Sequence, residues 1–165
     1  MLNIIEKSMK CIAVTSPDIN NGLGCRVTLW VAGCSHHCPG CHNPETWDYT
    51  RGKSLDDFKG QIFSWLEKPY IKGLTLSGGD PIDQDKASLI ELKNFLQEMR
   101  NKFPAKDIWL YTGYYLKDIC EDTDKMNVVN LCDVLVDGPF VKKKKDLSLP
   151  FRGSTNQNII KIHED

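Results

Sequence analysis

RVTLWVAG, residues 26–33, is a run of β-branched and aromatic residues bounded by Gly24 and Gly33, a composition that reads as a buried strand. It leads directly into Cys34-Ser-His-His-Cys38-Pro-Gly-Cys41. Three later segments repeat the design of a short strand ending in an irregular loop. GLTLS (73–77) precedes Gly78-Gly79-Asp80-Pro81, DIWLYT (107–112) precedes Gly113, and CDVLV (132–136) precedes Asp137-Gly138-Pro139. Such turns cannot be carried through a regular element.

The intervening segments are helical. After the polar residues 48–53, Ser54 stands as a helix cap with Asp57 three positions on, ahead of Phe58, Ile62 and Leu66, and Pro69 stops the pattern. A second helix begins near Asp85, with Leu89, Leu92, Leu96, Met99 and Phe103 on one core-facing stripe. Residues 116–129 form a short helical segment, and residues 158–163 add a last strand. Strand and helix in alternation imply the α/β class, with parallel strands and helical crossovers. A closed eight-fold barrel takes about 250 residues. The 165 residues here therefore make a partial, open (βα) barrel or an open sheet, as one domain over 1–165. Ligands of such folds bind at the carboxyl ends of the strands, where all four irregular loops converge.

Composition narrows the partners. A formal charge of -1 leaves no electrostatic footprint for nucleic acid. Residues 1–10 contain no apolar run of signal-peptide length and no stretch is long and apolar enough for a membrane span, so a cytoplasmic protein is expected. Seven cysteines cannot all pair internally, and clustered thiols in a reducing compartment point to metal binding or chemistry.

Cys34, Cys38 and Cys41 place three thiols within eight residues, with Gly33 and Gly40 easing the turns. Clusters that only carry electrons usually take four cysteine ligands, so three leave one iron open. A zinc site closed by Cys25, His36, His37 or His42 is the competing reading of the loop alone. Cys11, Cys25, Cys120 and Cys132 are scattered and form no second set; Cys120 and Cys132 are expected as buried fillers. Lys142–Lys145 reads as a solvated loop ahead of the alternative, a role in docking an acidic partner. Trp47 is assigned to packing and His36 and His37 to filling the loop, while 152–157 fits equally a contact with the cosubstrate or partner and a polar loop tied back by its own hydrogen bonds, and is given no role.

Cys-x3-Cys-x2-Cys after the first strand with Ser77-Gly78-Gly79-Asp80-Pro81 after the second resembles the radical S-adenosylmethionine superfamily. The resemblance implies a [4Fe-4S] cluster on Cys34, Cys38 and Cys41, with S-adenosylmethionine chelating the open iron and its amino group meeting Gly78, Gly79 and Asp80. The residue types suit that role, since glycines admit close approach and a carboxylate pairs with an ammonium. Gly40, Cys41 and His42 occupy the segment that lines the adenine. Two departures stand out: Gly40 replaces a commonly aromatic residue, and Asp80 a more common glutamate.

A finer resemblance is carried by CPGCHNPETW (38–47), DIWLYTGY (107–114), DGPF (137–140) and RGSTNQ (152–157). Together they are similar to the activating proteins of anaerobic ribonucleoside-triphosphate reductases, in the glycyl-radical enzyme activating family. That likeness implies reductive cleavage of S-adenosylmethionine, hydrogen abstraction from a glycine of the reductase large subunit, and flavodoxin or ferredoxin as electron donor. The alternatives are an activator of another glycyl-radical enzyme and a zinc-stabilised binding module.

Overall fold

The computed structural model describes residues 8–163. The part of the leader reading that falls on residues 1–7 lies outside them. The described chain forms one seven-stranded open sheet in the order β3-β1-β2-β4-β5-β6-β7. Its strands are β1 (Lys10–Asp18), β2 (Cys25–Val31), β3 (Lys53–Ser54), β4 (Ile71–Gly78), β5 (Asp107–Tyr111), β6 (Val134–Asp137) and β7 (Asn158–Lys161). Strands β2, β4, β5 and β6 are parallel neighbours. These are the four strands anticipated from sequence, joined by helical crossovers. The edges depart from that plan: β1 and β3 on one side and β7 on the other run antiparallel.

The helices are α1 (Leu55–Leu66), α2 (Lys86–Lys102), α3 (Leu116–Ile119) and α4 (Thr123–Val129). Ser54 holds the α1 cap position in extended backbone, but its side chain makes no capping bond. Asp85 caps α2 by accepting from the Ser88 N–H. The expected α2 stripe is buried through Leu89, Leu92, Leu96 and Met99, each side chain contributing about 1.5–3 kcal/mol. Asp122 divides the segment after β5 in two, because its side chain accepts from the Lys125 N–H and starts α4 afresh.

The pleat separates two unlike faces. Val27, Leu29, Leu74, Leu76, Ile108, Leu110 and Leu135 join the helices in a single core. The registered pairs Thr28–Thr75 and Trp30–Ser77, with Thr75 beside Trp109, lie on the other face. That second face is polar and aromatic because a loop rather than a helix covers it: Tyr111 Oη donates to the Phe151 carbonyl at 2.6 Å, and the Phe151 ring meets Trp109 edge-on at 5.4 Å. At its floor the fully buried Arg26 pairs with Asp107 at 2.7 Å and donates to Thr75 Oγ1 at 2.7 Å. Among the described residues no helix is long and apolar enough to cross a membrane.

Candidate functional site

A cleft of about 420 Å³ opens on this polar face. Cys34, Cys38, Cys41 and His42 line it from the loop after β2, Gly78, Gly79 and Asp80 from the turn after β4, Thr112 and Gly113 from the end of β5, and Gly138 and Phe140 from beyond β6. The expectation that the irregular loops share one rim is met. Gly40 is the exception among the predicted site residues: it is not part of the lining, and its Cα faces Lys142 and Phe140 instead.

The cysteine loop is pinned to the glycine turn by backbone. Gly79 N–H donates to the Val31 carbonyl and Asp80 N–H to the Gly33 carbonyl, both at 2.8 Å. A Cβ on Gly79 would stand 2.4 Å from the Gly33 oxygen, and one on Gly78, whose φ is +105°, would stand 2.5 Å from Val31 N. The two glycines are thus required first by the approach of protein backbone, whatever ligand they also admit. Positive φ falls on Gly78 rather than Gly79, so the plain type II turn that would use Gly79 is not formed.

Rings hold the loop from outside. His37, itself at φ 47°, stacks on Trp47 at 4.4 Å, which is the packing expected of that tryptophan. His42 lies against Phe140 at 5.2 Å and His36 meets Tyr114 edge-on at 4.5 Å.

Asp80 is almost fully buried. Its Oδ2 meets His36 Nε2 at 2.7 Å and accepts from Thr112 Oγ1 and Gly113 N–H at 2.9 Å, while Oδ1 accepts from Ile82 N–H at 3.1 Å. The hydrogen bond to Asp80 raises the His36 pKa above its ordinary value, against the effect of burial. His36 therefore does more than fill the loop: its imidazole faces the carboxylate predicted to receive a ligand ammonium.

Sequence reasoning missed Asp83. Its Oδ2 accepts from the Ser35 N–H and Oγ–H, both at 2.6 Å, and its Oδ1 from Tyr114 Oη at 2.8 Å. Burial acts to raise this carboxyl, but the Ser35 bonds, with those of Tyr114 and Tyr49, hold it below the ordinary carboxylate range. The available signal was a second acid three residues past Asp80, in a turn too short to point it elsewhere.

The thiols suit a cluster better than a single ion. A tetrahedral zinc at ~2.3 Å from each sulfur needs thiolates about 4 Å apart. Among the described residues the trio of potential ligands with all donor atoms within 4.8 Å of one another is Cys34, His36 and Asp83, and the three thiols form no such group. A cuboidal cluster spreads its ligands wider than one ion does. Burial pushes the Cys34 thiol up to about 12, while the His36 and His37 backbone N–H groups aimed at its sulfur act in the opposite sense. The Asn43 N–H donates to Cys41 Sγ at 3.4 Å. A buried thiol with N–H donors already directed at it is suited to become a thiolate under a bound cation. Of the other cysteines, Cys11 and Cys132 are buried, whereas Cys120, expected as a filler, is exposed at the C-terminal end of α3.

The polar 152–157 segment is tied back by hydrogen bonds, and its Arg152, Gly153 and Gln157 also line the cleft, so both of its readings stand. Gln157 accepts from Gly153 and Ser154 N–H and donates to the Gly138 carbonyl, and Asn156 donates to the Pro139 carbonyl.

Fold and site together define an iron–sulfur protein with a single cluster: a family model described as a 4Fe-4S single cluster domain matches residues 20–160. The chain belongs, within that class, to the family of anaerobic ribonucleoside-triphosphate reductase-activating proteins. A relative of that name from Pasteurella multocida (strain Pm70) is 42% identical over 148 residues, 88% of this chain and 92% of the relative. Another from Escherichia coli (strain K12) is 44% identical over 146 residues, 85% and 90% of the two chains. One from Enterobacteria phage T4 is 40% identical over 144 residues, 86% and 87%. This membership sets aside the zinc-stabilised binding module.

Proposed function

We propose that this chain is a single-domain radical S-adenosylmethionine activase that generates a glycyl radical on the large subunit of the anaerobic ribonucleoside-triphosphate reductase. The observation that carries the reading is the placement of three cysteine thiols and the Gly78-Gly79-Asp80 turn on one cleft, with His36 and Asp80 in contact between them. The names of the relatives supply the reductase.

Cys34, Cys38 and Cys41 hold the cluster, and Asp80 with Gly78 and Gly79 takes the amino end of S-adenosylmethionine. Cys41 and His42 face the adenine from the cleft wall, with Gly40 shaping the turn behind them. When bound, the cluster supplies the electron that cleaves S-adenosylmethionine to methionine and a 5′-deoxyadenosyl radical, which takes a hydrogen atom from the reductase glycine. The chain's own residues at the carboxyl ends of the strands orient the cosubstrate. The open sheet leaves the cleft mouth to a loop of the reductase, in the manner of a partial barrel. Seven unpaired cysteines favour a cytoplasmic, reducing location. A flavodoxin or ferredoxin feeds the electron.

The test is anaerobic reconstitution with iron and sulfide, reduction with dithionite in the presence of S-adenosylmethionine, and assay of 5′-deoxyadenosine. Addition of the reductase then gives a glycyl-radical resonance by electron paramagnetic resonance. Wild type is expected to give both signals and Cys38→Ser neither. A wild-type protein that binds iron and forms no 5′-deoxyadenosine overturns the reading.

A further inference from the structure

The four consecutive lysines Lys142–Lys145 are solvent-exposed as their charge predicts, but the loop that carries them is ordered. Residues Lys142–Lys144 form a 3-10 turn. Its frame is hydrogen-bonded by Lys144 N–H to the Val141 carbonyl, Lys145 N–H to the Lys142 carbonyl, and Thr155 N–H to the Lys144 carbonyl. Lys145 also bridges to Ser154. All four lysines are exposed, and among the described residues none of them forms an ion pair. Like charges held side by side repel, and among the described residues no carboxylate forms an ion pair with these.

The turn is set against the cysteine loop. A Cβ at Gly40, between Cys38 and Cys41, would come 3.3 Å from Lys142 Cδ and 3.5 Å from the Phe140 ring. None of the four lysines lines the cleft. The charge therefore lies over Gly40 of the cysteine loop, next to the cleft-lining Phe140 and Asp146, where Cys38 and Cys41 are only half-buried while Cys34 is buried.

We propose that Lys142–Lys145 is the docking surface for an acidic electron-carrier protein, which approaches the cysteine loop over Gly40, beside the cleft rim. The proposal rests on the activase reading, which calls for electron delivery to a cluster held by the cysteine loop. In the transfer the carrier loses one electron and this protein gains one, and no covalent bond is made or broken. A concentrated positive patch on a chain of net charge -1 gives selectivity by charge complementarity and speeds encounter roughly 10- to 1,000-fold, in a salt-dependent way.

The experiment measures binding of oxidised flavodoxin by isothermal titration calorimetry at low and moderate ionic strength. It compares wild type with a variant carrying Lys142→Gln, Lys143→Gln, Lys144→Gln and Lys145→Gln. A second variant retains Lys142, whose stem packs on the cysteine loop, and changes the other three. Circular dichroism verifies folding. Both variants are expected to bind about tenfold more weakly or worse, with a flattened salt dependence and with dithionite-driven 5′-deoxyadenosine formation unchanged. Unchanged flavodoxin affinity in a folded variant overturns the docking surface, and if reductase activation falls at the same time the patch belongs to the reductase instead. Wild type that forms no 5′-deoxyadenosine with dithionite overturns the activase reading itself, a failure read independently of the calorimetry.

Discussion

His36 Nε2 lies 2.7 Å from Asp80 Oδ2, and Thr112 and Gly113 donate to the same oxygen from the end of β5. One atom thereby joins the cysteine loop, the glycine turn and the neighbouring strand. An ammonium that binds Asp80 shares this oxygen, displaces the imidazole, or takes the remaining lone pair of Oδ1, which accepts only from the Ile82 N–H. Asp80→Asn removes the charge and places an amide against inward-pointing donors. A loss of about 1.5–3 kcal/mol is expected for hydrogen bonds to a charged group. Calorimetry should show S-adenosylmethionine binding roughly tenfold weaker or more, accompanied by a lower melting temperature. Full affinity in this variant would remove Asp80 from the cosubstrate site.

The three site thiols and the remaining four cysteines should separate cleanly on mutation to serine. Cys34→Ser, Cys38→Ser or Cys41→Ser is expected to abolish the brown chromophore of the reconstituted protein. Cys25→Ser and Cys120→Ser should keep it. Cys132 is fully buried, so Cys132→Ser is expected to lower stability by about 1–3 kcal/mol through an added polar group without changing iron content per folded chain. Iron and sulfide analysis with thermal melts decides each case.

Asp83 gives stability a defined dependence on acid. Its folded-state pKa lies below the ordinary value, as does that of Asp18, where burial is outweighed by hydrogen bonds from Asn20, Asn21 and Thr28. A depressed carboxyl stabilises the fold fully above its unfolded pKa of about 3.9 and loses that contribution as pH falls through the folded value. The unfolding free energy should therefore decline below about pH 4, and more gently in Asp83→Asn. At neutral pH the same variant should be less stable by about 1–3 kcal/mol. Denaturant melts across the acid range measure both effects, and equal slopes in the two proteins would remove Asp83 from the account.

Much of this could be read from local pattern. The four parallel strands announced themselves because each is a short apolar run stopped by glycine, and α2 because its leucines fall on one stripe. The cysteine and glycine motifs were legible for the same reason, since their chemistry sits within a few residues. Strand β1 was not: KCIAVTSPD (10–18) mixes Lys, Ser, Thr and Pro along a partly exposed pattern, as an antiparallel strand beside only a two-residue edge can. In β7, Asn158, Ile159 and Lys161 are exposed, so no alternation revealed its direction. The pairing of His36 with Asp80 joins residues 44 apart, a relation that spacing does not encode.

Gly79 gives a steric test that does not depend on any cofactor. Gly79→Ala places a methyl 2.4 Å from the Gly33 oxygen and 2.9 Å from that of Thr46, both backbone atoms with little room to yield. A destabilisation of about 1–3 kcal/mol or more is expected. The melting temperature of the metal-free protein should fall, and iron uptake should fall with it. A variant as stable as wild type would show that the junction between loop and turn relaxes freely.

The cleft is walled by segments from Asn20 to Gln157, fastened by contacts such as Tyr111 with Phe151, 40 residues apart, and Gln84 with Ala32, 52 apart. Contacts of such long range are the slow ones to form. A nascent chain still lacking residue 151 would display its cysteines on a sheet whose polar face had no cover. The order of maturation is thus set by topology: the segment around Phe151 completes the vessel after the cysteines are in place, and iron delivery belongs after that segment has closed.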